Sequence, residues 1–241
     1  MFAAATKSKQ VSSAANYIED VFSTYLYTGN NGTTQVVNGI DLSTNGGMVW
    51  IKPRSSPYNN TLQDTVRGVD KNLYSNSTSA QTSGGQLTSW NTNGFTISGT
   101  GNEYNANAVT YASWTFRKQA KFFDVVTYTG DGTNSRAISH NLGSTPGFIV
   151  VKKTSATGSW GVWHRATNGG TGNAYMFLNT TGAANNTGGA LWGDNSTNTY
   201  VAPTSTTFTV SSDGTVNTNG ATYVAYLFAH NAGGFGPAGT D

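Results

Sequence analysis

The sequence predicts an all-β protein: two tandem copies of an antiparallel β-sandwich, jelly-roll or lectin-like, preceded by a short N-terminal arm. Three observations carry this. Thr, Ser, Asn and Gly make up 116 of the 241 residues, against only 9 Leu and 2 Glu (Glu19 and Glu103). The strongest helix formers are therefore nearly missing, which excludes a helical bundle. Aromatic residues reach 12% of the chain while charged residues stop at 10%, the reverse of a disordered, solvating composition. Finally, four segments of the first half return in the same order in the second.

Residues 1–15 are small, polar and Ala-rich, without strand alternation. They read as an N-terminal arm, either a disordered leader or a segment that a partner subunit orders. Ser12 or Ser13 could also cap a short helix over Ser12–Asp20. The first sandwich is expected over 16–118 and the second over 121–235, each a normal size for one β-sandwich. A Gly-rich tail follows over 236–241, as a terminus or a linker.

Tyr27-Thr28-Gly29-Asn30 returns as Tyr128-Thr129-Gly130-Asp131, and Leu42–Lys52 (LSTNGGMVWIK) returns as Leu142–Lys152 (LGSTPGFIVVK). Phe95-Thr96-Ile97 returns as Phe208-Thr209-Val210, and Tyr111–Phe116 (YASWTF) returns as Tyr223–Phe228 (YVAYLF). The offsets are 101 and 100 residues for the first two pairs, then 113 and 112 for the last two. One loop of unequal length between Lys52 and Phe95 accounts for the change. Only Gln119 and Ala120 join the sandwiches, too short a link for a flexible tether, so the two are expected to hold a nearly fixed relation.

Within each copy, strands follow from alternation. Ala112, Trp114 and Phe116, like Val224, Tyr226 and Phe228, are expected to be the inward faces of the closing strands. Met48–Ile51 and Phe148–Val151 are apolar without alternation, as central strands covered on both sides would be. Asn31-Gly32, Asn38-Gly39, Asn93-Gly94, Asp131-Gly132, Asp213-Gly214 and Asn219-Gly220 mark turns, because Asn, Asp and Gly tolerate the positive φ that tight hairpins need.

No catalytic residue, cofactor site or metal site is expected. The chain has no Cys, which removes disulfides, thiolate ligands and Cys nucleophiles. His140, His164 and His230 sit in turn or strand-end contexts, and no Gly-x-Ser-x-Gly elbow accompanies them. Asp64, Asp70 and Glu103 remain for a glycosidase pair, but nothing acidic repeats in the second copy. Asp131–Asn134 and Asp194–Asn198 offer oxygen ligands for a hard cation, although such turns usually satisfy their own backbone. Arg67 and Arg165 fall at nearly matching places, as a repeated ion pair or hydrogen bond would.

Lys152-Lys153 and Arg117-Lys118 with Lys121 are short basic groups, and the net charge is +2, so no nucleic-acid partner is expected. No run approaches the ~18 apolar residues of a membrane span, and the first ten residues lack the apolar stretch of a signal peptide. Of the six Trp, Trp50 and Trp114 read as core. Trp90, Trp160 and Trp192 are flanked by Ser, Gly and Asn, and are the candidates for contact with glycan or protein; anchoring of loops is the plainer role for the same three.

The segments 21–52 (VFSTYLYTGNNGTTQVVNGIDLSTNGGMVWIK), 64–68 (DTVRG), 111–130 (YASWTFRKQAKFFDVVTYTG) and 222–236 (TYVAYLFAHNAGGFG) resemble a repeated domain of uncharacterised function in virion proteins of bacteriophages, many of them marine. The resemblance spans about residues 16–235. It implies a non-enzymatic structural component of the tail, fibre or head-decoration kind, folded in the host cytoplasm and then carried on the particle surface. Its expected partners are other virion subunits and further copies of itself. The alternative is a receptor-binding module for host-surface glycan. An enzyme degrading envelope polysaccharide is disfavoured by the missing acid pair.

Overall fold

A computed structural model of the chain describes residues 16–236. The N-terminal arm, the start of the Ser12–Asp20 helix and most of the Gly-rich tail lie outside the described residues. Of that helix only a single 3-10 turn, Ile18–Asp20, falls within them.

The protein is all-β. Its first half supplies β1 (Phe22–Thr28), β2 (Thr33–Val37), β3 (Gly47–Pro53), β4 (Thr61–Asp64), β5 (Leu73–Tyr74), β6 (Leu87–Asn91), β7 (Gly94–Ser98) and β8 (Thr110–Arg117). The second half supplies β9 (Phe123–Thr129), β10 (Arg136–Ser139), β11 (Pro146–Lys153), β12 (Trp160–His164), β13 (Met176–Phe177), β14 (Gly193–Asp194), β15 (Thr199–Tyr200), β16 (Thr207–Val210) and β17 (Thr222–Ala229). Among the described residues, helix is confined to single turns such as Leu42–Asn45, where the Asp41 side chain accepts from the Thr44 N–H.

Two five-stranded antiparallel sheets dominate, ordered β1-β8-β3-β4-β5 and β9-β17-β11-β12-β13. In each, the opening strand lies on the edge beside the closing strand, and the unalternating apolar strand takes the centre. The smaller sheets, β2-β7-β6, β10-β16 and β14-β15, come from the intervening segments. One inner core gathers Val36, Leu42, Val49, Ile51, Phe95, Ile97 and Tyr111. Another gathers Ile138, Leu142, Ile149, Val151, Trp163, Trp192, Phe208 and Tyr223.

A third cluster lies between the two large sheets. Met48, Leu62 and Leu73 meet Phe123, Val125, Val150, Trp160, Val162, Val224 and Tyr226 there. Phe116 touches Phe123 and Phe228 at ring separations of 5.7 and 5.3 Å. Burying each such side chain is worth about 1.5–3 kcal/mol, so the two halves are packed together rather than loosely tethered.

This stacking corrects the expected direction of the closing strands. Tyr111, Ser113 and Thr115 face the inner core and are fully buried, as are Tyr223, Ala225 and Leu227. The other set faces the opposite way: Phe116, Val224 and Tyr226 meet the third cluster, and Trp114 packs against Trp50 beside it. Because apolar residues pack on both faces of the sheet, alternation could not say which side met the inner core. The central strands agree with their reading, since Met48 lies in one cluster and Val49 and Ile51 in another.

Local geometry recurs in the two halves. Tyr27 stacks on Tyr111 at 5.0 Å and 11°, and Tyr128 stacks on Tyr223 at 5.1 Å and 11°. Asn105 accepts from the Asn30 N–H and donates to the Asn30 side chain and the Gly32 carbonyl. Asn217 does the same for Asp131 and the Thr133 carbonyl. The glycines of the Tyr-Thr-Gly segments are required by close approach. A Cβ at Gly29 or Gly130 would lie 2.1 Å from the carbonyl oxygen of Ala106 or Thr218. The length difference falls in two stretches rather than in the one loop expected. The register-matched pairs Leu62–Leu73 and Val162–Met176 are 11 and 14 residues apart, and Leu73–Phe95 and Met176–Phe208 are 22 and 32 apart.

Candidate functional site

The seam between the large sheets carries a buried polar cluster. Asp64 ends β4 with no solvent exposure, and the turn that follows returns Arg67 to it, Nε to Oδ2. The Val66 and Arg67 N–H groups donate to Oδ1, at 3.1 and 2.9 Å. From β17, in the other half, the Tyr226 hydroxyl donates to Asp64 Oδ2 at 2.8 Å. The two terminal nitrogens of Arg67 reach the Lys71 and Leu62 carbonyls, Gln81 Oε1 and the Tyr226 hydroxyl. With Nε on Asp64, all five guanidinium protons have acceptors, so the cluster is a satisfied joint. Burial raises the Tyr226 phenol well above its ordinary range. Arg165 does not repeat this arrangement: it is exposed, and the position equivalent to Asp64, paired with Phe148 as Asp64 is with Met48, is held by His164, which offers no carboxylate.

Lys152 is the second buried polar group at the seam. Its Nζ donates to the Thr78 carbonyl across the seam at 3.0 Å and to the Gly158 carbonyl at 2.8 Å. It also lies 5.9 Å from the Trp160 ring centre. Burial, with Lys153 adding to it, pushes its pKa down to about 8.

Beyond the reach of the second sheet, the same face of the first sheet stays open. Leu26 on the edge strand β1 is 58% exposed. Trp50, Trp114 and Phe116 are half-buried, and Lys52 is exposed. Trp50, Lys52, Asn60, Trp114 and Phe116 line a surface pocket of ≈ 360 Å³. The two indoles meet edge to face at 6.0 Å and 65°, and Lys52 Nζ donates to Asn60 Oδ1 at 3.0 Å. Trp50 also borders a small apolar void of ≈ 30 Å³ with Phe148, Leu178 and Phe228. Such a shelf of flat apolar rings with a polar margin suits a protein surface or a sugar ring.

The tryptophans exchange roles relative to the sequence reading. Trp160, on β12, is fully buried, and its Nε1 donates to the Tyr74 and Ser77 carbonyls of the other half, both at 3.0 Å. Trp192 is 2% exposed inside the second inner core. Neither has a free face for glycan or partner. Trp90 is half-buried on β6, packed against the first inner core. Trp50 and Trp114, read as core, are instead the partly open pair, because the first sheet extends past its cover.

Five of the remaining candidates, Asp70, Glu103, His140, Asp131 and Asp194, hold structural hydrogen bonds. Asp70 accepts from the Gly84 N–H at 2.6 Å, and Glu103 from Asn59 at 3.5 Å. His140 is buried, its Nδ1 accepting from the Leu142 N–H, and burial pushes its pKa down. Asp131 receives the Thr133 N–H and hydroxyl and the Asn217 amide, and pairs with Arg136. The backbone bond from Thr133 leads in holding its carboxyl down to about 2. Asp194 is likewise occupied by Ser196. Among the described residues, no three His, Asp or Glu gather as metal ligands, and no helix is long and apolar enough to cross a membrane.

A family model described as a domain of unknown function (DUF7483) matches residues 18–240, and so spans both large sheets. No curated protein and no solved structure matches the chain.

Proposed function

The chain belongs to the family of the domain of unknown function DUF7483, and we propose for it a non-enzymatic, structural role in a bacteriophage particle. In this reading it is an assembly and surface-contact module of the tail, fibre or head-decoration kind, partnered by other virion subunits and by its own copies. Its architecture is two tandem copies of one antiparallel sandwich, jelly-roll or lectin-like. The shared sheet order, the paired tyrosine stacks and the matching roles of Asn105 and Asn217 support the duplication.

The observation that carries the contact role is the open shelf of Trp50, Trp114 and Leu26 beside a seam that is otherwise closed. Exposed apolar area of that kind marks interaction surfaces. The placement in a phage particle rests on the resemblance of the strand segments to virion repeats. A labelled antibody against the chain should decorate intact particles at a defined position; purified particles free of the chain would overturn the virion reading. The Trp50 and Trp114 pocket, with Lys52 and Asn60 as polar margin, also favours a second reading in which the shelf receives host-surface glycan.

A further inference from the structure

We propose that the first half encloses a polar chamber for ordered water, built on the inner face of β4 from Thr61, Gln63, Asn72 and Tyr104. The contrast with the second half drawn below rests on reading the chain as two copies of one sandwich. The unpaired atoms do not depend on that reading.

Side chains alternate along β4. Leu62 and Asp64 point into the seam, so Thr61 and Gln63 point the other way, beside Ile51 and Val49 of the first inner core. The pairing of Leu62 with Leu73 sets Asn72, one step on, against Gln63. Tyr104 enters from the loop before β8, its carbonyl held by the Tyr27 hydroxyl at 2.7 Å. All four side chains are buried, none more than 3% exposed. Five of their polar atoms find no partner in the protein: Thr61 Oγ1, Gln63 Oε1, Gln63 Nε2, Asn72 Oδ1 and the Tyr104 hydroxyl. These atoms are neighbours. A Cβ at Gly85 would lie 2.3 Å from Gln63 Nε2 and 3.0 Å from Asn72 Oδ1, and Thr61 stands beside the Tyr104 phenol. Buried polar atoms are almost always paired, so a group of orphans in one place points to a ligand they share.

Their chemistry selects its class. Whichever way its amide is turned, Gln63 brings one donor-only NH2 and one acceptor-only oxygen, and the two hydroxyls do both. A cation would meet the NH2 protons, and an anion would meet the carbonyl oxygens of Gln63 and Asn72. None of the four residues is charged. Water both donates and accepts, and a closed polar site of this kind is where it is held.

The second half has no counterpart to this lining. Register puts Gly161 at the position of Thr61 and Trp163 at that of Gln63. Val216 takes the place of Tyr104, its carbonyl held by Tyr128 at 2.7 Å as Tyr104 is by Tyr27. The Trp163 indole spends its proton on the Gly172 carbonyl and the Tyr200 hydroxyl. Leu191 and Val216 close on Gly161, 3.5 and 3.4 Å from where its Cβ would be. The same space is therefore dry and apolar in one half and polar in the other.

A crystal structure of the full chain, at a resolution that shows ordered solvent, tests this. One or more waters should lie within about 3.2 Å of the Gln63 amide and of Asn72 Oδ1, with none at the matching place beside Trp163. Gln63→Met, its fold checked by thermal melting, should lose the water bridging to Asn72, whereas Tyr104→Phe should keep that water with one partner fewer. The native structure decides even where a variant fails to fold. Side chains that bond directly to one another with no water between them would overturn the proposal. So would a metal ion or an organic molecule bound there, or a water that stays in place in Gln63→Met.

Discussion

Tyr226→Phe probes the seam at a single atom. The ring stays in the third cluster and only the hydroxyl is lost, with its bond to Asp64 Oδ2 at 2.8 Å and its bond from Arg67 at 3.2 Å. Hydrogen bonds to charged groups are worth about 1.5–3 kcal/mol each. Asp64 keeps its three other donors and Arg67 its four other acceptors, so the expected loss is about 2–3 kcal/mol, below the simple sum. Asp64→Asn is harsher, since it leaves a guanidinium that is 4% exposed without its counter-charge; breaking such a pair costs about 3–5 kcal/mol. Because both changes act on Oδ2, the double variant should depart from additivity by at least about 1 kcal/mol. Urea unfolding with comparison of midpoints and slopes measures all three. An additive double variant, or a Tyr226→Phe loss under about 0.5 kcal/mol, would mean that the two sheets do not meet at this atom and would refute the described docking.

Lys152 gives a pH signature. Its ordinary pKa of 10.5 falls to about 8 in the folded chain, so between those values the unfolded state holds more protons and stability rises with pH. The rise should total about 3 kcal/mol from pH 8 to 10.5, and Lys152→Met should abolish it in urea titrations at the two ends. Asn105→Ala and Asn217→Ala should each cost about 2–4 kcal/mol, because several buried groups lose partners at once. Thermal and urea unfolding should find the two losses within about 1 kcal/mol of each other, and a silent position beside a severe one would count against the duplication.

What the sequence made legible was local. Asn93-Gly94 does mark the β6–β7 hairpin, whose turn is Thr92-Asn93 with Gly94 opening β7, and the apolar runs at Met48 and Phe148 are indeed central strands. The spacing of Asp64 and Arg67, three apart after a strand, was a readable sign of an ion pair. Its third member was not readable, since Tyr226 lies 159 residues beyond Arg67. The same distance effect misdirected the tryptophans. The indole of Trp160 is closed off by carbonyls 86 and 83 residues earlier, so its Gly- and Ser-rich neighbours carried no information about its burial. Period-two alternation of Trp160 with Val162 was the available sign of a strand position. Trp114 shows the converse: a strand pattern names a face, but how far the opposing sheet extends decides whether that face is covered.

Synthesis starts at the N-terminus, so Met48, Leu62 and Leu73 leave the ribosome long before the strands that shelter them. At about 5–20 residues per second, the 159 residues separating Arg67 from Tyr226 take roughly 8–30 s to appear. Throughout that interval the early sheet presents a bare greasy surface, and neighbouring nascent chains on the same message present its twin. Slower translation of the later strands should therefore lower the yield of folded protein, and added chaperone should restore it.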